Sequence, residues 1–349
     1  MKANDLVRQL KILGDSISVK TFSFLPIAEM LGIEGGEGRV KFSVTNQEVT
    51  SIFLADIPFE GEANVSINFK DFTALLRKLK SKEITLSYKT GFIILKTGSS
   101  SHEFPAYVDT GNEFVPATPI PKEGEIKEIA DLSLEGERNQ KLLPKLLQLS
   151  DSPIPQLNNL FVSNEGVYAT NNYIIAKVML DNPISKSFLI PHQIGKSFLG
   201  DEKILQYAEN ILSINHEDTS IYCRNYPTKD YPYQDIENVF LSKEGFWRVN
   251  SAELRDAISE MTYNTPEVLS FNRTPYRLEL LAQNGCREID VEGEGEEVKA
   301  TFATEHLKTF ISFLDELEEE VCILIHQDML FAYNKDETVK IVVMGVREK

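Results

Sequence analysis

Ala63-Asn-Val-Ser-Ile-Asn-Phe-Lys-Asp-Phe-Thr-Ala-Leu-Leu-Arg-Lys-Leu79 is the stretch from which the architecture is read. Its second half sets Phe72, Leu75, Leu76 and Leu79 on one side of a helix predicted over Asp71–Lys80, because residues three and four apart share a helical face. Strand-like alternation follows at Ile84–Tyr88 and Phe92–Lys96, joined by the turn signal Lys89-Thr-Gly91. Upstream lies another predicted helix, Asn4–Leu13, with Asn4 as its cap and Leu6, Leu10 and Leu13 on one face. Between the two helices, Arg39-Val-Lys-Phe-Ser-Val-Thr45 has the period of two that suits a half-buried strand.

This order recurs. A Leu-rich helix is expected at Asn139–Gln148, strands at Leu160–Val162 and Val167–Thr170, and a short helix after Pro191. A third round opens with a helix at Ser251–Thr262, capped by Ser251 and lined by Leu254, Ile258 and Met261, and has its second helix at Thr304–Leu314. The recurrence of roughly 110 to 130 residues is the size of a domain, not of a solenoid repeat. A chain of 349 residues exceeds one ordinary core. The expectation is an α+β protein of three similar domains, 1–118, 119–244 and 245–349, each with two helices on antiparallel sheet. The boundaries fall in the proline-rich Pro116–Gly124 and near Leu241–Gly245, and the acidic Glu292–Glu297 reads as a solvated hairpin tip.

Composition narrows the function. No apolar run approaches the roughly 18 to 20 residues that span a bilayer, and the N-terminus carries charges where a signal peptide has an apolar core. A cytoplasmic protein without membrane contact is expected. Cys223, Cys286 and Cys322 lie far apart and the five histidines are scattered, so neither a metal nor another cofactor is expected. No G-x-S-x-G, phosphate-binding glycine loop or framed pair of carboxylates points to an enzyme.

The 53 acidic and 36 basic residues give a formal charge of -17, which argues against nucleic acid unless the cations are gathered. They are placed with some order. Arg8 and Lys11 oppose the leucines of the first helix, Arg77 and Lys78 oppose Phe72, Leu76 and Leu79, and Lys141 and Lys145 oppose Leu142, Leu143 and Leu146. Pro144 is expected to shorten or kink that last helix. Lys196 is counted with these cations as DNA-facing. A single such face is what any solvated amphipathic helix shows, whereas matching places in several helices suit a polyanion. The third round differs, with Asp256 and Glu260 on its first helix beside Arg255, and Lys308 on its second.

Along nearly its whole length the sequence resembles the beta sliding clamp of bacterial DNA polymerase III. Ala63–Leu79 is similar to the family's strand-then-helix segment, and Phe104-Pro105 follows in the family's order. Leu157-Asn158-Asn159-Leu160 resembles L-N-G, Ala169–Ala176 resembles A-T-D-G-H-R-L-A, and Ile190-Pro191 the I-P before a helix. Tyr231-Pro232-Tyr233 falls at F-P-D-Y, and Val342–Arg347 is similar to the ending V-M-P-M-R. Each motif is short, and their order carries the likeness. Asn171, Asn172, Tyr173 and Ile174 depart from D-G-H-R, and Gly345 replaces a proline.

The resemblance implies three tandem clamp domains and a homodimer, joined head to tail into a ring around double-stranded DNA without sequence specificity. It also implies that the replicative polymerase and the clamp loader insert a short apolar peptide into a groove. Carried over by position, that groove comprises Leu157, Thr170, Asn172, Tyr173, Ile174, Ile175, Pro232, Met344, Gly345, Val346 and Arg347. Phe104 is the candidate at the dimer interface. The other reading is an acidic adaptor of the same fold that binds replication proteins without encircling DNA.

Overall fold

The structure, a computed structural model, describes residues 1–17, 29–36, 38–46, 49–80, 82–107, 127–131, 137–180, 184, 186–195, 204–208, 211–216, 218–224, 227–240, 245–263, 267–274, 276–283, 285–293, 297–317 and 319–346. The first round of elements is α1 (Ala3–Ile17), β1 (Met30–Gly36), β2 (Arg39–Thr45), β3 (Val49–Ala55), β4 (Phe59–Glu60), β5 (Ala63–Asn68), α2 (Phe69–Leu79), β6 (Thr85–Lys89), β7 (Phe92–Thr97) and β8 (Ser100–Pro105). The second is β9 (Lys127–Asp131), α3 (Glu137–Leu149), β10 (Asn159–Ser163), β11 (Gly166–Thr170), β12 (Ile174–Val178), β13 (Phe188–Pro191), α4 (His192–Gly195), β14 (Ile204–Ala208), β15 (Ile211–His216) and β16 (Thr219–Arg224). After α5 (Tyr233–Phe240) comes the third: β17 (Trp247–Asn250), α6 (Ser251–Met261), β18 (Val268–Thr274), β19 (Arg277–Ala282), β20 (Gly285–Asp290), β21 (Val298–Ala303), α7 (Thr304–Leu314), β22 (Glu320–His326), β23 (Met329–Asn334) and β24 (Val339–Met344).

The last two rounds share one order of strand, helix, four strands, helix and three strands. Each round supplies two four-stranded half-sheets. The leading halves run β5-β1-β2-β3, β13-β10-β11-β12 and β21-β18-β19-β20; the trailing halves run β8-β7-β6-β4, β16-β15-β14-β9 and β24-β23-β22-β17. Antiparallel pairing of β3 with β16 and of β12 with β24 joins four of these halves into two eight-stranded sheets. The chain accordingly divides into two compact units, Met1–Ser133 with Gln193–Tyr226 and Leu134–His192 with Pro227–Lys349.

In the first unit, Leu6, Leu10 and Leu13 of α1 and Phe72 and Leu76 of α2 are fully buried, as the helical spacing requires. The Asn68 side chain caps α2 by accepting from the Asp71 amide at 3.0 Å. Asn4 is not the cap of α1, whose first amides are satisfied by α2's end: Ala3 donates to the Lys82 carbonyl and Asn4 to that of Lys80. Gly14, further along α1, lies under the Phe69 ring at the start of α2, so the two helices run antiparallel.

In the second unit, Asn250 rather than Ser251 caps α6, accepting from the Glu253 amide at 3.0 Å. Pro144 lies inside α3 without ending it. Leu142 and Leu146 are fully buried and Leu147 and Leu149 nearly so. Four such side chains contribute roughly 6 to 12 kcal/mol, against about 3 kcal/mol for an interior proline.

Candidate functional site

The face of the second unit's large sheet that lies under α5 can be built from strand register. Leu189, Phe161, Tyr168, Lys177, Lys340, Tyr333, Cys322 and Arg248 stand in one row across its eight strands. Two residues along, Thr170, Ile175, Val342, Phe331 and Leu324 form a second row, and Met344, Met329 and His326 a third. Ile175, Val342 and Phe331 belong to one buried apolar cluster, against which Met329 and Met344 pack while remaining partly exposed. Two methionines facing solvent over an aliphatic floor make an adaptable apolar surface.

The wall beside this floor begins at Tyr231-Pro232. Pro232 accepts from the Ile236 amide at 3.0 Å, so it is tied to the first turn of α5. Phe161 stacks on Tyr231 and on Tyr233, with centroids 5.1 and 4.6 Å away, and Tyr168 meets Tyr233 edge-on at 5.4 Å. Burial pushes the Tyr168 and Tyr231 phenols up, and burial followed by Glu337 pushes Tyr333 up to about 12. All three therefore stay neutral. The Tyr231 and Tyr333 hydroxyls are buried and have no hydrogen-bond partner among the described residues.

Of the groove residues expected from sequence, Thr170, Ile175 and Met344 meet on this face, with Pro232 at its wall. Ile174 does not. It stands opposite Val343 on the other side of the sheet, the side that carries α3 and α7, and is fully buried there as core. Asn172 and Tyr173 form a tight turn: Asn172 has a φ of 79°, and the Asn171 side chain accepts from the Tyr173 and Ile174 amides. Tyr173 is 53% exposed and stacks on His306, the first turn of α7, at 4.6 Å. Burial lowers the His306 pKa, against the pull of Glu305.

Leu157 is buried beside β10, Val346 is exposed, and Arg347 lies outside the described residues. Gly345 donates to the Asp328 carbonyl at 2.6 Å, and a β-carbon on it would stand 2.4 Å from that oxygen. Neither proline nor any other side chain fits there without a shift. Val342, Met329 and Tyr231 were missed from sequence. Val342 was within reach, two residues before Met344 on a strand.

The cations divide. Arg8 and Lys11 on α1 and Arg77 and Lys78 on α2 are exposed and make no ion pair among the described residues. Lys141 is exposed on α3, and Lys196 lies outside the described residues. Lys145 corrects the expectation of a free outer cation: its side chain is 17% exposed, pairs with Glu316 at 2.9 Å and donates to the Ser312 carbonyl. Arg255 is held by Asp256 at 2.7 Å and by Asp315 at 3.3 Å.

Among the described residues two half-sheets remain unjoined, each with an open edge strand, β8 in the first unit and β20 in the second. Ala106 donates to the Gly91 carbonyl, so the alternate amides of Phe104 and His102 also turn to β7 and those of Glu103 and Ser101 face outward. Val291 donates to the Tyr276 carbonyl, which by the same alternation leaves Cys286 and Glu288 outward on β20. Phe104, the expected interface residue, lies on the open edge strand, but its side chain turns inward to meet Phe72 at 5.1 Å.

No protein-family model and no curated protein matches the chain. Solved structures do. The beta sliding clamp of Caulobacter crescentus superposes with a TM-score of 0.83 at 15% identity, covering 100% of this chain and 98% of that one. The DNA polymerase sliding clamp of Pseudomonas aeruginosa gives 0.78 at 14% identity, covering 100% and 99%. The Helicobacter pylori beta clamp bound to a DNA ligase peptide gives 0.77 at 15%, covering 99% of each. At these identities the likeness is one of fold. The chain has the α+β fold of the bacterial DNA sliding clamps, three tandem domains, from end to end.

Proposed function

We propose that this chain, with its sliding-clamp fold, is itself a DNA sliding clamp: a non-enzymatic processivity factor of the cytoplasm that encircles duplex DNA and tethers the replicative polymerase and other partners. The observation that carries the reading is the pair of open half-sheets. Where sheets join within the chain, the third strand of a leading half in chain order, β3 or β12, meets the last strand of a trailing half, β16 or β24. The leading half of the third domain ends on β20 and the trailing half of the first on β8, and among the described residues neither has a partner on its outer side. A second copy of the chain supplies each with the other. Two such contacts close a ring.

Register follows from the same rule. Val49, the first residue of β3, stands opposite Cys223, the fifth of β16; Ile174, the first of β12, stands opposite Val343, the fifth of β24. Gly285 of one copy is thereby set opposite Phe104 of the other, Cys286 opposite Glu103, and Glu288 opposite Ser101. Cys286, Glu103, Glu288 and Ser101 are the outward-facing residues, so donors meet acceptors. A shift by one residue would misalign every bond.

The test uses the native thiol. Opposed α-carbons in such a pair stand about 5.5 Å apart, within disulfide range. Glu103→Cys treated with a copper–phenanthroline oxidant is expected to yield a covalent dimer through Cys286, and His102→Cys is not. Failure of Glu103→Cys to cross-link, or equal linkage by His102→Cys, overturns the register.

The groove is read as the tether. Its apolar floor of Ile175, Val342 and Met344 beside Pro232 suits a short apolar peptide, and one clamp of this fold was solved with a DNA ligase peptide. A closed ring also needs an opener, which makes a clamp loader a partner. The adaptor reading draws on the third domain, where Arg255 is neutralised by two aspartates. Loaded protein that stays on circular DNA and is lost on linearisation excludes it.

A further inference from the structure

Lys177 is the fourth of the five residues of β12, on the face under α5, with its side chain 9% exposed. Taking an ammonium group out of water costs several kcal/mol unless it is paired. Its opposite number across the strand pair is Lys340, and like charges so placed repel. The two cations turn apart. Lys340 reaches Glu337 at 2.8 Å and lies over the Tyr333 ring, while Lys177 reaches the other way.

There Lys177 Nζ is 3.2 Å from Glu165, on the β10–β11 turn, and 3.0 Å from Glu237, on α5, with the Tyr168 ring centroid at 5.0 Å. Glu165 belongs to the sheet and Glu237 to the helix. Among the described residues, the Glu237 pair is the ionic link between α5 and the strands beneath it. Burial acts to raise the Glu165 pKa, but the hydrogen bond and charge of Lys177, with hydrogen bonds to Tyr233 and Glu237, together outweigh it and the net shift is downward. An eight-residue helix has little stability of its own and stays where its contacts hold it.

We propose that Lys177 is the positioning residue of the groove: by holding Glu237 it seats α5, and with α5 the Tyr231-Pro232 wall, over the sheet. The proposal rests on the groove reading above. Removing the ammonium leaves Glu165 and Glu237 facing each other without a counter-charge, and the helix carrying one of them is the part free to move. Pro232, bonded to the first turn of α5, moves with it.

The test compares full-length wild type with Lys177→Met, Lys177→Arg and the double variant Lys177→Met, Glu237→Met. Two quantities are read: amide exchange across residues 236–240, and fluorescence-anisotropy binding of a dye-labelled apolar pentapeptide ending in Leu-Phe. Lys177→Met is expected to speed exchange in α5 and weaken the peptide by about tenfold, with exchange in β23 and β24 unchanged. Lys177→Arg keeps the charge, and the double variant replaces the pair with apolar contact, so both are expected to recover most of the affinity. Wild-type exchange and binding in Lys177→Met overturn the proposal, as does loss of affinity that neither rescue variant restores. A wild type that binds no peptide, with α5 still loosened by Lys177→Met, overturns the groove reading and leaves the seating of the helix standing.

Discussion

Two tyrosines in the second unit bury hydroxyls that bond to nothing among the described residues, Tyr231 and Tyr333. An unpaired buried hydroxyl carries its desolvation cost without return, on the order of 1 kcal/mol or more. Tyr231→Phe and Tyr333→Phe are therefore expected to keep or raise stability by up to about 1 kcal/mol in urea unfolding. A loss of comparable size would mean that the hydroxyls are bonded. Tyr333 also sets a pH dependence, because its pKa rises to about 12 in the folded chain, against about 10 in the unfolded one. A raised pKa gives a contribution fully present below the unfolded value and lost as pH rises through the folded one. Stability should decline between about pH 10 and 12, and Tyr333→Phe should flatten that decline. At the C-terminal motif, Gly345→Pro removes the amide that binds Asp328 and inserts atoms where a β-carbon already meets 2.4 Å. We expect it to cost about 2 to 4 kcal/mol by urea unfolding. That Gly345 departs from the family motif was legible in the sequence; the reason lies in Asp328, across a strand pair that spacing alone does not place.

Among the elements, helices were the more legible. Thr304–Leu314 agrees at both ends with α7, and the leucine faces of α1 and α3 lie where their periodicity put them. Caps were less so, because α1 borrows the carbonyls of Lys80 and Lys82 and needs no capping side chain at Asn4. In β2 the period of two holds in the first half, where Arg39 and Lys41 alternate with buried Val40 and Phe42, whereas Ser43 and Thr45 on the same face are buried. The strands β10, β11 and β12 are buried at every residue, so their sequences carry no alternation, and Ile174 could not be told from Ile175. The pairing of α1 with α2 also carries a prediction. Arg8, Lys11, Arg77 and Lys78 are exposed cations on two adjacent helices, without an ion pair among the described residues, and their joint replacement by alanine should shorten retention on nicked circular DNA. Each lost phosphate contact should reduce the salt slope of binding by about 0.9. Peptide binding should stay within about twofold of wild type, since these helices belong to the other compact unit.

For the whole molecule, the threefold recurrence was visible in the sequence, whereas the sharing of sheets between rounds was not. No single round contains both halves of an eight-stranded sheet, so the compact units cut across the sequence domains. The prediction at this scale is assembly. Native mass spectrometry should give about 79 kDa, twice the chain mass of 39.5 kDa; a chain that stays monomeric at micromolar concentration would favour the adaptor reading. Open edges that meet head to tail form either a ring or a fibre, according to whether the rotation closes. The sheet sharing also sets a timetable for synthesis. One edge of β3 stays open until Thr219–Arg224 has been made, and one edge of β12 waits for Val339–Met344. A ribosome-bound chain thus carries a bare strand edge on β3 until the second round is nearly made, and the second large sheet is completed only by a strand of the third round.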